Sequence, residues 1–185
     1  QLLEIAASHH VDFFYEASVG GGIPIIRTIN QCMMQEQLHE IMAILNGTTN
    51  YILTEMEQEG TSFEETLEDA QKLGYAELNP ASDVEGMDAA RKLAILSTHA
   101  YGVDVDWETI ERRGITEITK EDIAVAKAID HHIKLIGRSR MIGTLLYAGV
   151  EPMLLSEDHK LARVAGVYNK IMFKGNMVDD ISIEG

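Results

Sequence analysis

The sequence predicts an α+β fold in which helices cover one face of a β-sheet. Helix signals, with capping residues and apolar positions three and four apart, cluster in the middle of the chain. Segments rich in branched and aromatic residues lie before and after them. With 185 residues, 45% of them hydrophobic and 24% charged, the chain is long enough to bury one core. No repeat, low-complexity stretch or Pro/Ser-rich linker marks an internal boundary, so residues 1–185 read as a single domain.

The chain opens at Gln1 rather than Met, and Leu2, Leu3, Ile5 and Ala6 already follow helical spacing, which suggests a fragment entered partway through a helix. Asp12 to Glu16 is Phe/Tyr-rich and reads as a short strand running into the turn Gly20-Gly21-Gly22-Ile23-Pro24. A second strand, about His39 to Leu45, breaks at Asn46-Gly47-Thr48-Thr49-Asn50, and Tyr51, Ile52 and Met56 suggest a helix closed by Gly60. Ser62 and Glu65 form a capping box for the next helix, whose stripe is Phe63, Leu67, Ala70 and Leu73 and whose stop is Gly74. After a polar segment, a long helix is predicted from about Val84 to Tyr101, with Ala89, Leu93, Leu96 and Ala100 on one face and Gly102 beyond. Thr119 and Asp122 cap another helix running to about His131. Strands follow around Ile133 and Leu135, over Thr144 to Val150, and over Val167 to Phe173, the last turning at Gly175-Asn176 into Met177 to Ile183. A sheet covered on one side would leave an apolar face, and a second copy of the chain is the expected cover.

Fifteen Lys and Arg against 30 Asp and Glu give a formal net charge of -15, which repels phosphate backbones and anionic lipid. Neither nucleic acid nor a membrane surface is an expected partner. No apolar run suffices to span a bilayer, and the first residues lack the features of a signal peptide. The lone Cys32 cannot form an internal disulfide, which suits a reducing compartment, most simply the cytoplasm.

The densest polar stretch runs from Glu77 to Lys92. On one continuous helix Glu85, Asp88 and Lys92 stand at i, i+3 and i+7 and line a stripe, with Glu77 and Asp83 arriving from the loop above. From spacing alone the commoner meaning of such a stripe is a solvated face with an i, i+4 ion pair. The functional alternative is a cleft wall on which carboxylates hold an ammonium group and Lys92 serves an oxygen that develops negative charge. A carboxylate beside it favours Lys92 as a proton donor rather than a general base. Gly47-Thr48-Thr49-Asn50 at a helix start either takes an anionic oxygen or is an N-cap, with Thr48, Thr49 or Asn50 in that role. The turn from Glu16 to Ile23 can aim carbonyl oxygens at a hard cation, but its glycines lack the G-x-G-x-x-G spacing of a dinucleotide loop. His9-His10 and His131-His132 point apart and lack convergent partners for a metal site.

Three segments taken together are more specific: Tyr15-Glu16-Ala17-Ser18-Val19-Gly20-Gly21-Gly22-Ile23-Pro24, Leu45-Asn46-Gly47-Thr48-Thr49-Asn50-Tyr51, and Leu73-Gly74-Tyr75-Ala76-Glu77 through Asp83 to Gly86-Met87-Asp88-Ala89-Ala90-Arg91-Lys92. In content, order and spacing they resemble homoserine dehydrogenases. The resemblance implies NAD(P)H-dependent, reversible interconversion of L-aspartate 4-semialdehyde and L-homoserine, on the route to threonine, methionine and isoleucine. It implies that Lys92 donates a proton to the aldehyde oxygen with Asp88 beside it, that Glu77 binds the substrate ammonium, and that Asp83 is a further substrate-site carboxylate. Gly47 and Thr48 match the turn that meets substrate and the nicotinamide end of the cofactor. Glu16, Val19, Gly21 and Ile23 match positions that give oxygens, largely main-chain, to a sodium ion.

The family fold so implied is a mixed-sheet α+β catalytic domain, like the C-terminal domain of glyceraldehyde-3-phosphate dehydrogenase, that dimerises through its sheet and follows a Rossmann domain. The expectation is therefore a catalytic, substrate-binding and dimerisation domain over residues 1–185 without its nucleotide-binding domain, inactive by itself. Two rivals stand beside it: an amino-acid-binding or dimerisation module without catalysis, and a metal-dependent hydrolase built on Glu77, Asp83 and Asp88, which the mixed-in Lys92 argues against.

Overall fold

The computed structural model describes residues 2–177 and 179–185. Helix α1 spans Leu2–Ser8, and α2, Ile25–Arg27, runs into a π-helical turn over Thr28–Cys32. Strand β1 (Leu38–Ile44) leads to α3 (Gly47–Glu59), α4 (Phe63–Lys72), the short α5 (Ala81–Val84) and α6 (Met87–Tyr101). A 3-10 turn at Trp107–Thr109 precedes β2 (Glu111–Arg112) and α7 (Lys120–Ala128). The chain then runs through β3 (His131–Ile142), β4 (Leu145–Ser156), β5 (Lys170–Gly175) and β6 (Ile181–Glu184).

The strands form one mixed sheet in the order β2-β4-β3-β1-β5-β6, in which only the β2/β4 pairing is parallel. Side chains alternate between its faces. Ile41 and Ala43 of β1, Leu135 of β3, Val150 of β4 and Ile171 and Phe173 of β5 pack with Ile52, Leu53 and Met56 of α3 and with Leu93 and Leu96 of α6. Leu93 is fully buried in this core, where truncation to Ala costs about 2–5 kcal/mol. Both expected capping boxes are present, Ser62 with Glu65 and Thr119 with Asp122.

The other face is covered in part by the chain itself. Its aliphatic positions Met42, Ile44, Ile136, Leu155 and Met172 are covered by Leu161, Ala162 and Val164 from the chain's own β4–β5 connection. Further along that face Arg138 and Lys174 both reach Glu40, at 2.5 and 3.6 Å, and Ile142, Leu145 and Tyr147 are exposed.

Several elements differ from the sequence reading. Asp12 to Glu16 forms no strand. Its aromatic residues favour extended backbone, but no ladder lies beside it, and its side chains tie it to helices: the Tyr15 hydroxyl lies 2.7 Å from His99 Nε2, and the Glu16 carboxylate accepts the amides of Ile26 and Arg27. The long helix from Val84 is broken at Gly86, whose φ of +81° is left-handed and whose backbone packs against Val150 and the Arg113 carbonyl. Glu85 therefore lies outside α6 and is exposed, off the stripe of Asp88 and Lys92. Helix α7 ends at Ala128, three residues early, because Asp130 turns left-handed at φ 56° and His131 already starts β3. The final pair of strands is antiparallel as expected, but a connection longer than Gly175-Asn176 joins β5 to β6, and the edge strand β2 has no signal in so short a segment.

Candidate active site

The site forms where the end of β1 meets the starts of α3 and α6. Helix α3 begins four residues earlier than Tyr51, and its N-cap is Asn46, not Thr48, Thr49 or Asn50: the Asn46 Oδ1 accepts the Thr49 amide at 2.8 Å. This cap leaves the Gly47 and Thr48 N–H groups without an intrahelical partner. The Thr48 hydroxyl donates to the Tyr75 carbonyl at 2.8 Å, tying the turn to the loop that carries Glu77. Gly47 has no substitute, since a Cβ there would stand 2.7 Å from the Val167 carbonyl oxygen.

Asn46 is also the hub that sequence reasoning missed. It is buried, and its Nδ2 donates to Asp83 Oδ1 and to Asp88 Oδ2, each at 2.8 Å. Nothing local signals this role, because the partners lie 37 and 42 residues away. Asp88 Oδ2 in turn stands 2.7 Å from Lys92 Nζ, one turn later on α6, and the same ammonium donates to the Leu45 carbonyl at 3.1 Å. The structure thus joins Asp83, Asn46, Asp88 and Lys92 in one chain of hydrogen bonds. The Asp88 and Lys92 side chains are 28% and 25% exposed, so the pair faces solvent along one side and is neither a free surface pair nor a core one.

Asp83 is held above the usual carboxylate range, chiefly by burial. The Asn46 hydrogen bond and the Lys92 charge oppose that rise, and the Asp88 and Glu77 charges add to it. Glu77 therefore lies within electrostatic reach of the cluster; its side chain is exposed, and its carbonyl accepts from Gln71 Nε2 at 3.0 Å. Among the described residues no three His, Cys, Asp or Glu are grouped to hold a metal ion.

The glycine-rich turn makes a separate group. The Glu16 carboxylate is taken by the amides of Ile26 (2.6 Å) and Arg27 (3.1 Å), the Glu16 carbonyl accepts the Val19 amide at 3.5 Å, and the Ile23 carbonyl accepts that of Ile25 at 2.8 Å. Left-handed Gly20 and Gly21 bend the backbone between them. A hollow of about 610 Å³ lined by Phe13, Tyr15, Glu16 and Arg27 lies beside this turn and includes neither Asp88 nor Lys92.

Comparison with known proteins gives this geometry a family. The homoserine dehydrogenase family model matches residues 24–185. The chain belongs to the homoserine dehydrogenase family. It is 42% identical over 185 residues to the homoserine dehydrogenase of Bacillus subtilis (strain 168), covering all of this chain and 43% of the relative. It is 40% identical to that of Methanocaldococcus jannaschii, covering all of this chain and 54% of the relative. The crystal structure of a homoserine dehydrogenase from Thiobacillus denitrificans superposes with a TM-score of 0.96 at 37% identity, over all of this chain and 43% of that one. A hyperthermophilic archaeal homoserine dehydrogenase mutant in complex with NADPH superposes at 0.82 with 30% identity, over all of this chain and 52% of that one. The chain thus spans about half the length of the relatives it matches.

Proposed function

We propose that this chain is the catalytic and substrate-binding domain of an NAD(P)H-dependent homoserine dehydrogenase that reversibly reduces L-aspartate 4-semialdehyde to L-homoserine in threonine, methionine and isoleucine biosynthesis. The observation that carries the reading is the Lys92 ammonium, held between the Asp88 carboxylate and the Leu45 carbonyl with its remaining N–H directed away from both. An ammonium so held is fixed in orientation, as a proton donor must be.

Lys92 gives its proton to the aldehyde oxygen as that oxygen gains charge, the O–H bond of homoserine forming as the N–H bond of Lys92 breaks. The nicotinamide ring, when bound, supplies the hydride to the aldehyde carbon. Asp88 orients Lys92 through the 2.7 Å contact. Asp83 and Glu77 give the substrate ammonium its counter-charge, and Asn46 holds Asp83 and Asp88 together despite their like charge. The uncapped N–H groups of Gly47 and Thr48, at a position bare of side chain, suit close approach by the substrate carboxylate or the nicotinamide end of the cofactor. The cofactor's phosphates and adenosine have no G-x-G-x-x-G loop in this chain, so their binding falls to the remaining length of the parent protein.

The turn from Glu16 to Ile23 suits a sodium ion held by main-chain oxygens of Glu16, Val19, Gly21 and Ile23. The Glu16 carboxylate is not free to share in this, since it caps α2. Homodimerisation through the sheet face bearing Glu40, Arg138 and Lys174 and the exposed Ile142, Leu145 and Tyr147 completes the reading, and the cytoplasm suits a chain with one exposed thiol. Among the described residues no helix is long and apolar enough to cross a membrane.

The deciding experiment is turnover by the full-length parent protein. NADPH oxidation that depends on L-aspartate 4-semialdehyde and yields homoserine is expected. Binding of homoserine without any hydride transfer would instead identify an amino-acid-binding module.

A further inference from the structure

The catalytic reading leaves unused a buried lysine. Lys134, on β3, is 3% exposed. Its Nζ donates to the Val164 carbonyl at 2.8 Å and to Asn50 Oδ1 at 3.3 Å, and among the described residues it forms no ion pair with a carboxylate. A buried ammonium with neutral partners is disfavoured unless something requires its donors.

What it holds is a piece of backbone. Three buried side chains from two elements converge on residues 164–168. Lys134 takes the Val164 carbonyl, Asn50 Nδ2 donates to the carbonyls of Gly166 (3.0 Å) and Tyr168 (3.2 Å), and Thr54 Oγ1 accepts the Gly166 amide at 3.2 Å. Thr54 also donates to the Asn50 carbonyl at 2.6 Å, and the Lys134 ammonium to the Asn50 side chain, so the three form one network. In the middle of the pinned segment, the Val167 carbonyl presses on Gly47 so closely that no Cβ fits. The turn proposed to meet substrate and cofactor therefore rests against a segment that a buried network holds in place.

We propose that Lys134 is a positioning residue: with Asn50 and Thr54 it pins residues 164–168 onto α3, and the pinned Val167 carbonyl sets where the Gly47–Thr48 turn stands. The functional half of this proposal rests on the dehydrogenase reading; the pinning itself does not. Burial pulls the Lys134 amine down to about 8. The pin survives deprotonation, because a neutral amine still offers two N–H groups for its two acceptors.

The test uses the full-length enzyme with Lys134→Met, which keeps the volume and removes the donors, leaving two buried acceptors unpaired. Amide exchange at residues 164–168 is expected to quicken about tenfold or more while peptides from α6 are unchanged, the scale of one buried acceptor left unsatisfied. Under conditions where circular dichroism shows both proteins fully folded, KM for substrate or cofactor rises about tenfold and kcat moves less than about threefold. A merely structural lysine would lower the melting temperature without moving KM. Unchanged exchange at 164–168, or an unchanged KM, overturns the proposal. If Lys134→Met does not fold, Thr54→Val removes a different strut without touching charge and must show the same pattern on a smaller scale, about threefold; its absence overturns the proposal equally. If the wild-type parent reduces no aspartate semialdehyde, the dehydrogenase reading falls, and exchange alone upholds or overturns the pin.

Discussion

Two lysines near the start of α3 show how surroundings decide what an ammonium does. Lys92 stands 2.7 Å from a carboxylate and keeps a quarter of its surface in solvent. Lys134 is closed off, has only neutral partners in contact, and is pulled from 10.5 to about 8 by burial, with the Glu57 charge opposing. The first is a charge kept available, the second a donor kept in place. Both converge on the start of α3, through the Leu45 carbonyl before it and through Asn50 within it.

The contrast is broken most directly by removing what each lysine is said to serve. The largest effect is expected for the 185-residue chain alone: Lys92 is present without a dinucleotide loop, so NADPH binding should be weak and turnover absent in an assay where the parent is active. Normal activity from the isolated chain would sink that view. Next comes Lys92→Ala in the parent, where loss of a general acid slows hydride transfer by about 10²–10⁴-fold. A loss below about tenfold in single-turnover kinetics means another group donates the proton.

The two lysines also differ in how readable they are. Asp88 and Lys92 stand at i, i+4, so their pairing follows from helical geometry, as do the capping boxes at Ser62/Glu65 and Thr119/Asp122. Each is decided within one turn of chain. The hub role of Asn46 and the pinning by Lys134 are set by partners 37, 42 and 30 residues distant, which no window of sequence contains. The same limit explains Asp12 to Glu16, whose aromatic content favours a strand but which has no neighbouring strand to pair with. It explains Gly86 too, where packing against β4 and the segment after β2 turns a permissive residue into a break. Recognising the cleft wall needed the joint order of three motifs, because an ion pair alone describes any solvated helix face.

The comparison sharpens in its dependence on pH. An amine whose folded value is lowered releases its proton first in the native state. Between about pH 8 and 10.5 the unfolded chain therefore holds more protons, and stability rises with pH across that window. Below about pH 8 the cost of the buried charge is present in full. Lys134 should contribute a rise on the order of 3 kcal/mol between these limits, seen in urea unfolding as a slope that Lys134→Met lacks. The Glu57 charge of α3 acts against the shift, and Glu57 itself bonds His132 of β3 at 2.9 Å. Equal slopes in the two proteins would place the amine in water.

The smallest effect separates holding a site together from holding the fold together, and Asn46 does both. Asn46→Ala removes the cap of α3, which costs about 1 kcal/mol of stability, a shift in melting temperature of a few degrees. It also removes the amide between Asp83 and Asp88. The Asn46 hydrogen bond is what lowers an Asp83 carboxyl that burial raises, so without it Asp83 should titrate higher still, and its direction can be followed by carbonyl chemical shift. Asn46→Ser is the discriminating partner, because a serine caps α3 but is too short to bridge two carboxylates. It should keep the melting temperature near wild type and still raise Asp83. If serine restores both, Asn46 is a cap and nothing more, and Asp83 and Asp88 stand together without help.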